Sequence, residues 1–188
     1  PLLAGDQAAL AQLDQIRDGF SAVMTEQIEA MWTRKLGLLS FDGPLLQELL
    51  QLLVASRADY TRFFRWLSAI PEDLAALEDN FYLPCSQELL AQWQGWLLRW
   101  RQQITQTGDP AQIAAAMQQV NPAITWREWL VVPAYQAAEQ GNTQLIEELQ
   151  RVFRDPYQPL PPELAATYDR LKPREFFQAG GVSHYSCS

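Results

Sequence analysis

The sequence is poor in the residues that most active sites are built from. It has one histidine, two cysteines and nine glycines in 188 residues. A single histidine excludes a histidine-based zinc triad, a His–Glu–His helix motif and a serine triad whose base lies in the body of the chain. The glycines are scattered, and the only adjacent pair is Gly180 and Gly181, so neither a Walker loop nor a dinucleotide fingerprint can be drawn. Two distant cysteines, Cys85 and Cys187, do not make a secreted disulfide framework, and a reducing cytoplasm is the expected compartment. Basic residues are also short: 14 Lys and Arg against 22 Asp and Glu give a net charge of −8. Nucleic acid and anionic membrane are therefore not the expected partners, since both would be repelled at long range. No apolar run reaches the roughly 18–20 residues that span a bilayer.

What the sequence does hold is helix. Hydrophobic residues make up 48% and charged residues 19%, with mean hydropathy −0.20, the balance of a globular chain. Leu10, Leu13, Ile16, Phe20, Val23, Met24, Ile28, Met31 and Trp32 recur at spacings of three and four, which predicts one long helix with an apolar stripe. Gly37 is suited to end it in a left-handed cap. Asp42 with Pro44, Ser86, Asp109 with Pro110, and Asn142 or Thr143 mark further helix starts, and Pro71 and Gly141 mark stops. Trp93, Trp96 and Trp100 fall on one side of a helix, which predicts a buried seam in preference to a base-stacking platform formed with Arg99 and Arg101. Strand signals are nearly absent, and no repeat of solenoid length is visible.

The expected fold is all-α, an irregular multi-helix bundle with a proline-rich C-terminal segment draped over it. Residues 1–155 are expected to form the helical domain and residues 156–188 the extension and tail. The chain opens on Pro1 as if inside an element already under way, and is expected to be a piece of a longer protein.

Candidate chemistry is thin. The acidic clusters, among them Asp14 with Asp18 and Glu147 with Glu148, are expected on wetted helix faces, because paired acids do acid–base or metal work only where their environments are unequal and partly dry. His184 with Cys187 makes a poor metal pair on a tail, and a solvated histidine is the better reading. Cys85 is expected to be a small, half-buried residue ahead of a helix.

Two segments are more specific. "DYTRFFRWLS" at residues 59–68 and "VNPAITWREWLVVPAYQAAEQGN" at residues 120–142 resemble the C-terminal region of the selenoprotein O family, the pseudokinase-fold protein adenylyltransferases. The resemblance is carried by Asp59, Tyr60, Thr61, Phe64, Arg65 and Leu67; by Asn121, Pro122, Arg127 and Leu130; by Ala134, Ala137, Glu139 and Gly141; and by Pro156 and Tyr157. Upstream, Met31, Lys35, Leu36, Gly37 and Leu38 are similar to the family's M-x-x-K-L-G-L element, and the final "SCS" is similar to its near-terminal cysteine or selenocysteine. Glu128 and Asn142 depart from the pattern, and the ending is one serine short.

The resemblance implies the helical C-terminal part of a protein-kinase-like lobe in a protein that moves AMP from ATP onto Ser, Thr or Tyr hydroxyls of other proteins, using Mg2+ or Mn2+. The family's phosphate-binding, metal-binding and catalytic residues lie upstream of the "KLGL" element, so none maps here. No catalytic, metal or cofactor-binding residue is expected in this chain, which is expected to be inactive alone. Its partners would be the N-terminal kinase-like half of the same protein and the parent's protein substrates. Asp59, Arg65, Asn121 and Arg127 would be structural, as caps and buried charge pairs. Cys187 would be the redox residue, pairing with a cysteine outside this chain. Two other readings are a stand-alone helical adaptor and a thiol oxidoreductase, which would need a resolving cysteine near Cys187 and would be favoured by a Cys85–Cys187 disulfide.

Overall fold

The computed structural model describes residues 6–106 and 108–177. Cys187, His184 and the Gly180–Gly181 pair lie outside the described residues. Among the described residues the chain forms eight α-helices, two single 3-10 turns and one isolated antiparallel bridge between Ala58 and Phe81. The fold is all-α.

Helix α1 (Gln7–Leu36) begins where the Asp6 carboxylate accepts from the Ala9 amide at 3.0 Å. It ends at Gly37, whose φ of 66° is the left-handed conformation that costs glycine nothing. Space also demands glycine there: a Cβ on Gly37 would meet Met117 Sδ at 2.7 Å and Ile113 Cγ2 at 2.8 Å. The apolar stripe has an unexpected fate. From Leu10 to Ile28 every stripe residue is exposed, Ile16 at 68% and Phe20 at 61%, and only the last turn, with Lys35 and Leu36, is buried. Helical periodicity reports a face that wants covering and says nothing of what covers it.

Helix α2 (Gly43–Ala55), capped by Asp42, buries Leu45, Leu46, Leu49, Leu52 and Leu53. Helix α3 (Tyr60–Leu67), capped by Asp59, buries Phe63, Phe64 and Leu67. A 3-10 turn at Glu78–Asn80 leads to α4 (Gln87–Ile104), capped by Ser86. Trp93, Trp96 and Trp100 of α4 are each at most 1% exposed. Their indole N–H groups donate to Ser56 Oγ at 2.7 Å, Leu45 O at 3.0 Å and Leu36 O at 2.8 Å. An indole is buried at little cost only when its one donor is satisfied. The tryptophans thus pin α4 to α2 and to the end of α1. Helix α5 (Pro110–Gln118) closes this first core with Met117.

A second core gathers Ile124, Trp129, Leu130, Ala134, Leu149, Val152 and Tyr168. It is built by α6 (Glu128–Glu139), α7 (Gln144–Val152) and α8 (Pro162–Tyr168). Pro133 lies inside α6 and does not end it. The proline-rich segment runs back over the second core. The Pro156 carbonyl accepts from the Ala123 amide at 2.7 Å, Tyr168 enters the second core, and a 3-10 turn at Arg174–Phe176 packs Phe176 against it.

Candidate functional site

The two cores meet at α3, and the meeting is polar. The hydrophobic side of α3 enters the first core, while Asp59, Thr61 and Arg62 face the second half of the chain. Asp59 is the N-cap of α3, its Oδ1 accepting from the Arg62 amide at 3.1 Å. The same carboxylate receives both Arg127 amino groups, Nη2 donating to Oδ1 at 2.8 Å and Nη1 to Oδ2. Arg127 occupies the N-cap position of α6 without capping it, because a guanidinium has no acceptor to offer the free amides of the first turn. The Asp59 side chain is 5% exposed and that of Arg127 16%. Tyr82 adds a third donor, its hydroxyl 3.2 Å from Asp59 Oδ2. Burial is the largest influence on that phenol and pushes it above its ordinary value. Beside this pair, Thr61 and Thr125 hydroxyls lie 3.2 Å apart, and Arg62 Nη1 bonds both Oδ1 and the carbonyl of Asp169.

A second polar knot joins α1 to α3 and to the turn that follows α5. Asn121 is fully buried. Its Oδ1 accepts from Lys35 Nζ at 2.7 Å, and its Nδ2 donates to Lys35 O at 2.9 Å and to Ser68 Oγ at 3.0 Å. Every polar atom of the amide is thereby used, which is what makes its burial tolerable. Arg65 Nη1 donates to the carbonyls of Gln118 and Asn121, each at 3.3 Å. Burial pushes the Arg65 guanidinium down from its ordinary value. Among the described residues Lys35 pairs with no carboxylate; its ammonium sits 4.4 Å from the Phe64 ring centroid and 5.4 Å from that of Tyr60. Burial lowers the amine to about 8.

So the four residues singled out for structural roles sit in two neighbouring knots. Asp59 pairs with Arg127, and Arg65 reaches the backbone of Asn121. Lys35, Tyr82 and Ser68 complete the knots and were not singled out for such a role. Lys35 carried a readable signal, its place in the "KLGL" element at the end of the apolar stripe. Tyr82 and Ser68 carried none, because only folding brings them to their partners. Cys85 is half-buried, its amide donating to Glu78 Oε1 at 3.1 Å, and burial pushes its thiol up. Among the described residues no group of three or more His, Cys, Asp or Glu could hold a metal ion, and no helix is long and apolar enough to cross a membrane.

Fold and junction together define a helical module in which the Asp59–Arg127 and Lys35–Asn121 contacts tie separate helices together. The sequence comparisons place that module. A family model described as "Protein adenylyltransferase SelO" matches residues 5–154. The chain is also 36% identical over 194 aligned residues to "Protein nucleotidyltransferase YdiU" of Tolumonas auensis, an alignment that covers 97% of this chain and 36% of that protein. The chain belongs to the SelO family. It spans about a third of the length of that curated relative.

Proposed function

We propose that this chain is the helical C-terminal scaffold of a protein adenylyltransferase, which transfers AMP from ATP to Ser, Thr or Tyr hydroxyls of proteins in the cytoplasm. Membership of the family supports the activity of the parent. The exposed stripe of α1 is the observation that supports the scaffold role. Eight large apolar side chains, Leu10 to Met31, each more than a third exposed, lie along a 30-residue helix. A stripe of that length is an uncovered interface, and the kinase-like half of the parent is the proposed cover. ATP and Mg2+ or Mn2+ would be held by that half. The described residues do not fit such a group, offering neither a metal-ligating cluster nor a glycine-rich phosphate cradle.

In this reading Cys187 forms a disulfide with a cysteine of the kinase-like half and so makes transfer responsive to redox state. The test uses the parent at its full natural length. Phe20→Glu and Val23→Glu on the α1 stripe should abolish AMP incorporation from labelled ATP into the protein itself while leaving the melting of the isolated helical part unchanged. Cys187→Ser should remove the response of AMP transfer to reductant. Full activity of the stripe variants, or AMP transfer by this chain alone, would sink the scaffold reading.

A further inference from the structure

A cation-lined cleft lies apart from both the α1 stripe and the buried knots. It opens between the turn after α2, the residues that precede α4, and the segment around the last 3-10 turn, with a volume of about 890 Å3. Arg57, Lys172 and Arg174 line it, over an apolar floor that includes Leu83, Leu171 and Phe177. None of the three cations has an ion-pair partner among the described residues. In a chain of net charge −8, three unpaired cations on one cleft are a local reversal of sign.

The walls are built. Arg57 adopts φ 49°, a left-handed conformation disfavoured for a side-chain-bearing residue. It is held there by its amide on Val54 O at 3.1 Å and by the Tyr82 amide on its own carbonyl at 3.3 Å. Tyr82 and Phe177 meet edge to face at 5.5 Å between centroids, and the Lys172 ammonium lies 5.3 Å from the Phe177 ring. The Lys172 amide donates to the Tyr82 hydroxyl at 3.3 Å. One side of the cleft is thus tied through Tyr82 to the Asp59–Arg127 pair.

We propose that this cleft binds an acidic, extended protein segment, whose carboxylates meet Arg57, Lys172 and Arg174 while an apolar side chain lies on Leu83, Leu171 and Phe177. Three features select that ligand. A free phosphate needs neither the volume nor the apolar floor. Nucleic acid needs a longer run of cations than three, and the net charge opposes it. An extended acidic peptide with alternating apolar residues uses both the rim and the floor, and strong like charge elsewhere on the protein confines it to this place. Resting on the function proposed above, the segment belongs to a protein client of the adenylyltransferase, so that the cleft selects clients away from the reacting centre.

The experiment measures anisotropy of a fluorescein-labelled peptide of alternating glutamate and leucine, with glutamine and lysine twins, on the full-length protein at low salt. The glutamate peptide should bind tightest. Arg57→Gln, Lys172→Gln and Arg174→Gln should each weaken it about tenfold, the loss of one charge-assisted contact, with near-UV dichroism unchanged. Arg99→Gln, which breaks a pair with Glu48 elsewhere on the surface, should leave binding unchanged. Equal binding of the three peptides, unaltered affinity in the triple variant, or displacement by inorganic phosphate or ATP more readily than by peptide overturns the proposal. AMP transfer without peptide binding removes the cleft and keeps the enzyme reading; peptide binding without AMP transfer does the reverse.

Discussion

Asp59 makes four hydrogen bonds that belong to three different jobs. It caps α3, it neutralises Arg127, and it receives Tyr82. Removing one partner of a buried ion pair leaves the other charge without compensation, which typically costs about 3–5 kcal/mol. Arg127→Ala is therefore expected to lower the unfolding free energy by about 3 kcal/mol, read from urea denaturation; a loss below a few tenths would show the pair to be solvated. Arg127→Lys should recover only part, since an ammonium cannot bond both carboxylate oxygens in the same fork. Lys35 makes a prediction of opposite flavour. Its amine titrates near 8 when folded, below the ordinary 10.5. Between those values the unfolded chain holds the proton and the folded chain does not, so this group makes folding more favourable as pH rises through that window. The gain in urea midpoint from pH 8 to pH 10 should be larger in the wild type than in Lys35→Met. Burial pushes the Tyr60 phenol, which faces the same amine, up from its ordinary value.

At the scale of the element, α4 and α1 are opposites. Helix α4 is held by three buried indoles, each with its donor satisfied, and truncating a buried tryptophan typically costs about 3–5 kcal/mol. Trp100→Phe keeps most of the volume but orphans the Leu36 carbonyl; it should cost about 1–3 kcal/mol and loosen the α1 terminus, seen as faster amide exchange at Lys35 and Leu36. The first six turns of α1 should behave otherwise. Their apolar residues are exposed, so Ile16→Glu is expected to change the stability of this chain by no more than about 0.5 kcal/mol. Gly37 stands between these cases. Gly37→Ala must accept both a left-handed φ and contacts under 3 Å with Met117 and Ile113, and should destabilise by more than about 1 kcal/mol.

At the scale of the molecule, two apolar cores are coupled through polar links at α3. Asp59–Arg127, Thr61–Thr125 and Arg62–Asp169 all cross from one side to the other. Polar links are directional, so they set the relative register of the cores, whereas apolar contact alone would allow them to slide. Breaking the first link should separate their stabilities. In Arg127→Ala, amide exchange is expected to rise in α6 and α7 before it rises in α2 and α4, and uniform exchange across both would contradict this coupling.

The helices were legible in the sequence because their signals are local. A cap at Asp42, Asp59, Ser86 or Asp109 acts within three residues of itself, a leucine or tryptophan period acts within one helix, and the SelO motifs keep their order along the chain. Glycine at position 37 was legible for the same reason. What joins distant residues was not. No local rule pairs Asp59 with Arg127, wraps Asn121 around Lys35, or gathers Arg57, Lys172 and Arg174 about one cleft, because those contacts bridge 68 to more than 80 positions in the pairs. The α1 stripe marks the boundary. Sequence alone determined that it is an amphipathic face; only the tertiary structure decided that the chain leaves that face uncovered, because burial is a property of how separate elements pack and not of the spacing within one.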